Sequence, residues 1–222
     1  MFVVPCKFDK NYPIIFQCIE AIKTHMPHEK IAVVDSNSAD TSYLFELDKD
    51  VIVYDIQNNN YTLEAFYQAY LDNQNEEYFF NIHDSIIVQS DISFVKQSDL
   101  TVLRYWHSPP VPMGRNKDDS DLVDWANPLM KLHLGYGVPS MYKGVFGPIF
   151  MCKKKVMDDL TNCGFFKIKV TDKYQACAME RVAGIVLENL GYDVTNALQG
   201  SGGDIYANYD ETYMKKVHLL RM

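Results

Sequence analysis

The sequence predicts an α/β fold, with a mostly parallel β-sheet flanked by helices on both faces. In its first half, short apolar segments of strand type alternate with longer segments whose apolar residues have helical spacing. This order, β-α-β-β-α-β, is typical of parallel sheets connected by crossover helices. The length of 222 residues fits one domain, and 47% hydrophobic residues with 13% aromatic residues are ample for a packed core.

Each element of the first half has its own local signal. The first helix carries its apolar residues on one face, and Thr62 can cap the second helix. The predicted elements, in chain order, are a strand at Phe2–Pro5, a helix over 12–25, strands at Ile31–Val34 and Val51–Tyr54, a helix that begins at Thr62, and a strand that begins at Tyr78.

The second half is predicted to be less regular. The stretch from Trp106 to Lys143 is rich in proline and glycine, so we expect a binding loop, a lid or a disordered segment there. A strand is predicted at Val145–Met151 and a short helix at Lys153–Leu160. The strongest helix of this half runs from about Asp172 to Leu190.

Charge and cysteine usage exclude some classes of protein. A formal net charge of −8, with no long basic block, argues against a nucleic-acid partner. The five cysteines are widely spread and show no CxxC spacing, which is typical of reduced thiols in an intracellular protein. No segment has the length of a membrane span or a signal peptide, so we expect a cytoplasmic setting.

Three polar residues, His83-Asp84-Ser85, interrupt an apolar run where the strand that begins at Tyr78 ends. A carboxylate at the carboxyl end of a parallel strand lies where open α/β sheets hold their ligands. Asp offers a hard oxygen to Mg²⁺ or Mn²⁺, and such a metal can bridge the phosphates of a nucleotide. The alternative is a polar turn between two strands.

Three further positions carry candidate chemistry. Asp35 follows the second strand, where it can bind a ribose or a base, or cap its own turn. Glu180 lies off the apolar stripe of its helix, where it faces either a cleft, as a general base, or plain solvent. Near the end of the chain, the lysines and the histidine of Lys215-Lys216-Val217-His218 can meet a diphosphate or a metal, or belong to a solvated face.

Several motifs are missing from the sequence. It contains no GxGxxG dinucleotide fingerprint, no GxxxxGK[ST] phosphate loop, no GxSxG nucleophile elbow and no HExxH zinc motif.

The order and spacing of the remaining segments resemble the GT-A class of nucleotide-sugar glycosyltransferases over most of the chain. The segments that carry the resemblance are Val3-Val4-Pro5-Cys6, similar to the first strand of that class; residues 33–40, similar to its "VDDGSTD"-type segment; Phe79 to Ser85, at the place of its DxD metal motif; Lys143 to Phe150, similar to its glycine-containing strand beside the acceptor; Glu180-Arg181, where inverting members often carry the catalytic carboxylate; and His218, where many members place a last metal or diphosphate contact.

The resemblance implies a single GT-A-like (Rossmann-like) domain over 1–222, with a nucleotide-sugar-binding half at 1–100 and an acceptor-binding half at 101–222. It implies transfer of a hexose or deoxyhexose from a nucleotide-diphosphate sugar, such as a UDP-sugar, to a glycan or glycoprotein hydroxyl, with inversion. The residues it implies are Glu180 as catalytic base; Pro5, Asp35, Asp84, Ser85 and Arg181 for the donor; Trp106, Trp125, Tyr142 and Gly147 for the acceptor; and His83, Asp84 and His218 for Mn²⁺ or Mg²⁺. The aromatic rings can stack on sugar faces or simply pack the long loop.

The sequence departs from that class at the metal motif, because His83-Asp84-Ser85 lacks one or two of its carboxylates. The sequence therefore does not decide whether the reaction depends on a metal ion. A degenerate domain that only binds a nucleotide sugar or a glycan is an alternative. A nucleotidyltransferase is a second alternative, although residues 2–9 lack the glycine that its phosphate loop needs. Small stand-alone members also occur in large DNA viruses, where they decorate capsid proteins. The Asn, Tyr, Ile and Lys content fits that source too, and the setting would then be host cytoplasm.

Overall fold

The computed structural model describes residues 1–56, 61–108, 117–201 and 210–217. Its helices are α1 (Ile14–His25), α2 (Tyr61–Asp72), α3 (Lys117–Leu134), α4 (Lys154–Cys163) and α5 (Lys173–Asn189). Its strands are β1 (Phe2–Cys6), β2 (Ile31–Asp35), β3 (Val51–Tyr54), β4 (Tyr78–Asn81), β5 (Ile86–Val88), β6 (Leu100–Val102), β7 (Tyr105–His107), β8 (Lys143–Val145), β9 (Phe150–Lys153) and β10 (Met214–Lys216). Short 3₁₀ helices lie at Ser42–Phe45, Ser93–Gln97 and Phe165–Lys167.

A six-stranded sheet in the order β3-β2-β1-β4-β9-β6 forms the centre of the fold. The strands β1 to β4 pair in parallel, whereas β9 runs antiparallel to both β4 and β6. The predicted α/β fold with a mostly parallel sheet is therefore confirmed. Because parallel neighbours end at the same edge, Cys6 at the end of β1 lies opposite Asp35 at the end of β2.

The central strands are buried on both faces, which explains why they read as continuous apolar runs. Along β1, Val3 packs into the core on the side of α2, α4 and α5, while Phe2 and Val4 pack into the core on the side of α1. Side chains alternate across a strand, so one short apolar segment supplies both cores. Full burial of such a side chain contributes about 1.5–3 kcal/mol to stability.

Two helices of the second half were well predicted because they carry end signals. Asp172 caps α5 by accepting a hydrogen bond from the Gln175 amide at 2.7 Å. Gly164 ends α4 in the left-handed conformation, with a φ of 93°.

The prediction of a weakly structured stretch from Trp106 to Lys143 is wrong over most of its length. The structure has β7 at its start and the long helix α3 within it, with Pro128 inside the helix. The buried residues of α3 are Leu122, Val123, Ala126 and Met130, which have helical spacing. The proline and glycine content predicts a loop, but the helical spacing prevails because these apolar side chains pack into the core. Residues 109–116 lie outside the described ranges.

The strand predicted at Val145–Met151 is two strands, β8 and β9, separated by a turn. The Ile149 amide donates to the Phe146 carbonyl at 3.0 Å, and Gly147 between them has a φ of 60°. A left-handed residue breaks an extended run, so the chain leaves one small sheet here and enters the main sheet.

Two small antiparallel sheets complete the arrangement and place the site. β7 pairs with β8, and β10 pairs with β5 so that Lys216 lies opposite Ile86. Strand β10 therefore lies beside the segment that follows His83-Asp84-Ser85. Within the described ranges, no helix is both long and apolar enough to span a membrane.

Candidate functional site

Asp35 is the centre of a hydrogen-bonded corner at the carboxyl edge of β1 and β2. Its side chain is only 1% exposed; it accepts from the Ser38 amide at 2.9 Å and from the Tyr43 hydroxyl at 3.1 Å. The loop is further fixed because Phe8 donates its amide to Ser38 Oγ at 2.8 Å and stacks on Tyr43 with ring centroids 4.4 Å apart. The contacts of Asp35 are those of a carboxylate that organises its own loop.

Cys6 joins this corner to the His83-Asp84-Ser85 segment. Its thiol is in hydrogen-bond contact with Asp84 and Tyr43, and burial together with the Asp84 carboxylate raises the pKa of the thiol. Cys6 therefore stays a neutral thiol rather than a nucleophile. We call Asp35, Ser38, Tyr43, Cys6 and Asp84 the Asp35 network.

A second group forms where α5 meets the turn between β8 and β9. Glu180 on α5 accepts a hydrogen bond from the Gly147 amide at 3.0 Å. The ring of His83 packs against Gly147 so closely that a Cβ on this glycine would lie 3.0 Å from His83 Cε1. Glycine at 147 thus serves both the left-handed turn and the close approach of His83.

Burial raises the pKa of Glu180, although its side chain is 21% exposed. The Gly147 amide, Arg181, Lys216 and Arg104 act in the opposite direction, because an amide donor and nearby cations favour the carboxylate. Desolvation outweighs them. A partly exposed carboxylate with a raised pKa is a better proton acceptor than a surface glutamate.

Three cations lie around this carboxylate, namely its neighbour Arg181 and, from distant parts of the chain, Arg104 and Lys216. Arg181 Nη1 is 3.5 Å from Glu180 Oε2. Arg104 and Lys216 contact the Phe146 ring, with the guanidinium carbon 4.3 Å and the ammonium nitrogen 5.7 Å from its centroid. We call Glu180, Arg104, Arg181, Lys216 and Phe146 the Glu180 group.

Lys216 also connects the Glu180 group to the polar segment after β4. Its Nζ donates to Ser85 Oγ at 2.9 Å, and the Val217 amide donates to the Ser85 carbonyl at 2.9 Å. Strand β10 holds Lys216 in place by pairing with β5. Ser85 is therefore bound to a cation in the structure.

Trp106 lies beside the Glu180 group, with the Arg181 guanidinium 5.4 Å from its ring centroid. Its ring covers Gly144, where any Cβ would collide with it. Trp125 packs partly buried against the core, and Tyr142 is buried in it, with its amide donating to Ser108 Oγ at 2.9 Å. Of the three predicted aromatic acceptor residues, the structure brings Trp106 to the site.

The other predicted residues divide between the two groups. Pro5 is buried in β1. It follows Val3, the last residue of β1 that pairs with β4. That position suits a residue without an amide hydrogen. Asp84 belongs to the Asp35 network, and Arg181 to the Glu180 group. His218 lies outside the described residues.

The predicted metal ligands do not form a complete site in the described part of the chain. That part contains no group of three or more His, Cys, Asp or Glu side chains placed to hold a metal ion. His83 packs on Gly147, while Asp84 contacts Cys6. Among the described residues, His83 and Asp84 alone therefore do not supply the several oxygen ligands that Mn²⁺ or Mg²⁺ prefers.

Sequence reasoning missed Arg104 and Phe146. Arg104 is buried, and its carbonyl accepts from the Phe146 amide at 3.0 Å. A signal was present, because Arg104 is a single charge that directly follows the apolar run of 102–103. A buried arginine needs a partner, which makes such a position worth testing.

No known protein family matches the sequence, and no curated protein matches it. Among solved structures, it is similar to S. aureus TarS 1-349 at a TM-score of 0.43, with 12% identity over 83% of this chain and 54% of that one. It is similar to the galactosyltransferase LgtC in complex with donor and acceptor sugar analogues at 0.40, with 10% identity over 82% and 72%. A third is glucosyl-3-phosphoglycerate synthase from Mycobacterium tuberculosis in complex with Mn²⁺ and UDP-glucose, at 0.38, with 13% identity over 86% and 79%.

The chain is distantly similar in structure to glycosyltransferases. It spans about half the length of the TarS chain. A likeness at these TM-scores and identities carries no argument about activity, since one fold serves many functions. Any function has to be argued from the Asp35 network and the Glu180 group themselves.

Proposed function

We propose that the chain is a glycosyltransferase that moves a sugar from a nucleotide-diphosphate sugar to a hydroxyl acceptor. The observation that supports this most is the placement of Glu180. It is a carboxylate with a raised pKa that accepts from the Gly147 amide, beside His83 at the carboxyl edge of the sheet. Open α/β sheets bind their ligands at this edge.

Glu180 is the general base in this proposal. It takes the proton of the acceptor hydroxyl while that oxygen forms a bond to the anomeric carbon. The bond from the anomeric carbon to the diphosphate oxygen breaks, and the nucleotide diphosphate leaves with the electron pair. Attack from the face opposite the leaving group inverts the anomeric centre. The Gly147 amide keeps the carboxylate oriented, which is the part of catalysis that positioning supplies.

The Asp35 network supports the nucleoside end of the donor. Asp35 is too buried to offer an open face to a ribose, so we assign it the role of holding residues 36–40 in place. Pro5 and Asp84 act in the same way, by shaping the ends of β1 and β4. We assign Ser85 and Arg181 to the diphosphate end of the donor, and their contacts with Lys216 and Glu180 support this assignment.

The acceptor approaches from the side of Trp106 and Gly147. Trp106 offers ring area to the C–H face of a sugar, since aromatic rings combine apolar surface with a defined geometry. A glycan or glycoprotein acceptor fits this feature. Binding of Mn²⁺ or Mg²⁺ by His83, Asp84 and His218 remains a prediction, and no step of the reaction is assigned to it.

Release of free nucleotide diphosphate tests the proposed function. The purified chain is incubated with UDP-sugars and GDP-sugars, with and without Mn²⁺, and both diphosphate release and melting temperature are measured. We expect slow release in water, and a rise in melting temperature with the correct donor, because a ligand of the folded state stabilises it. A melting shift without release would indicate a binding domain. The proposal is overturned if no donor produces either a shift in melting temperature or release of nucleotide diphosphate.

A further inference from the structure

We propose that Arg104 and Lys216, together with Arg181, bind the diphosphate of the donor, so that donor binding requires no divalent cation. This inference rests on the proposed function. It goes beyond it by assigning the charge on the leaving group to side chains of this chain.

The first support is the convergence of the cations from separate elements. Arg104 follows β6, Lys216 ends β10, and both contact the Phe146 ring at 4.3 and 5.7 Å. Arg181 comes from α5 and lies 3.5 Å from Glu180. Positive charges gathered in one place attract an anion, and Glu180 is a negative group beside them.

The second support is the chemistry of the cations. A guanidinium presents a planar fork of donors that matches two phosphate oxygens, and an ammonium adds a mobile point charge. The Phe146 ring removes water from one side of Arg104 and Lys216, which strengthens their attraction to an anion. A diphosphate is an anion of the charge and size that such a group accommodates.

The third support is the position of Lys216. Its Nζ donates to Ser85 Oγ at 2.9 Å, directly after His83 and Asp84. The segment that was predicted to hold a metal thus receives a cation from the protein itself. Fixed positive groups that face developing negative charge stabilise a departing anion without a metal ion.

Calorimetric titration in EDTA tests this inference. The probes are UDP and GDP, with UMP and GMP as matched ligands that lack the second phosphate. We expect wild-type protein to bind one diphosphate in EDTA. In Lys216→Gln, affinity for that diphosphate should fall by about tenfold or more, the loss expected for a hydrogen bond to a charged group. Affinity for the monophosphate should change less.

Lys215→Gln is the matched control, because Lys215 is the exposed neighbour on the same strand. It removes the same net charge and should bind as wild type does. If Lys216→Gln fails to fold, the salt dependence of diphosphate binding by wild type in EDTA replaces it. We then expect affinity to fall steeply as salt rises.

The outcomes separate this inference from the proposed function. Diphosphate binding that appears only after Mn²⁺ is added would overturn the inference and leave glycosyl transfer standing. Wild-type affinity in Lys216→Gln, or salt-independent binding, would overturn it as well. If no nucleotide diphosphate binds with or without Mn²⁺, and no donor is turned over, both proposals fail.

Discussion

The Asp35 network and the Glu180 group both lie at polar ends of strands, but their charges are used differently. In the Asp35 network, the buried carboxylate bonds to an amide and a hydroxyl of its own loop. In the Glu180 group, Glu180 and Arg181 come from α5, whereas Arg104 and Lys216 come from two other parts of the chain and share the Phe146 ring. The first arrangement fixes a loop, whereas the second can exchange its internal ion pairs for those of a ligand.

This difference separates structural from functional carboxylates. Asp35 stands in the segment with the clearest local pattern, yet its contacts already satisfy it. Glu180 stands in the middle of a helix with no local motif, yet it has the raised pKa and the ionic surroundings. Mutations in the two regions should therefore have different effects, on stability in one and on turnover in the other.

The largest expected effect is the loss of turnover in Glu180→Gln. Glutamine can still accept from the Gly147 amide but cannot take a proton, so kcat should fall by about 10²–10⁴-fold, the usual contribution of a general base. The melting temperature should change little, and donor affinity should not fall. Steady-state kinetics and a thermal melt measure the two. Glu188→Gln on the same helix is the control; it loses only a partly exposed ion pair with Lys143 and should keep its turnover. Full turnover in Glu180→Gln would place the base elsewhere.

A smaller effect, on stability alone, is expected for Tyr43→Phe. The change removes the hydroxyl that donates to Asp35 Oδ1 and keeps the ring that stacks on Phe8. A buried carboxylate that loses such a donor costs about 1.5–3 kcal/mol of unfolding free energy. Urea unfolding measures the loss, and Tyr12→Phe, at a tyrosine that is 43% exposed, is the control. If turnover collapsed while stability stayed constant, the Asp35 network would be part of the reaction site and the contrast would fail.

The next effect compares two glycines that both have positive φ. Alanine in this conformation costs about 1–2 kcal/mol. Both Gly147→Ala and Gly191→Ala should lose stability by this mechanism, since their φ angles are 60° and 87°. Only at 147 does the new Cβ meet His83, whereas nothing lies within 4 Å at 191.

Turnover should consequently fall in Gly147→Ala, by about tenfold or more, because small displacements of catalytic groups are costly. Gly191→Ala should retain the turnover of wild type at a temperature where both variants are folded. Equal turnover in the two variants would show that the His83–Gly147 contact does not position the site.

The fold was predictable where local signals agree with tertiary contacts. The strands β1 to β4 are continuous apolar runs, and α5 has both a cap at Asp172 and an apolar stripe, so their positions were predicted well. The errors arose where local signals conflict. Pro128 lies inside α3, and Gly147 splits an apolar run into two strands. Composition alone does not show which signal prevails. In α3, packing against α5 favours the helix despite Pro128.

The candidate site was predictable only in part, because some of its contacts join residues that are far apart in the sequence. His83 and Ser85 were found because they interrupt an apolar run, and Glu180 because it lies off the apolar stripe of its helix. The contact of Ser85 with Lys216 joins residues 131 positions apart, through the pairing of β10 with β5. Strands of three residues leave almost no sequence signal, so neither this pairing nor the approach of Arg104 to Phe146 follows from the sequence.

The smallest effect concerns the pH dependence of stability. Because burial raises the pKa of Glu180 above its ordinary value of 4.5, the folded state binds this proton more tightly than the unfolded state does. Stability should therefore fall as pH rises from 4.5 through the pKa of the folded state, and should not change further above it. The difference in unfolding free energy between wild type and Glu180→Gln isolates this contribution, since the other titrating groups are common to both. The same ionisation places the acidic limb of kcat/KM above pH 4.5, because the base acts only when deprotonated. If the difference in unfolding free energy between wild type and Glu180→Gln instead rises with pH over this window, the cations of the Glu180 group affect its pKa more than desolvation does. In that case Glu180 would be primarily their counter-ion, like Asp35 a carboxylate whose partners already satisfy it.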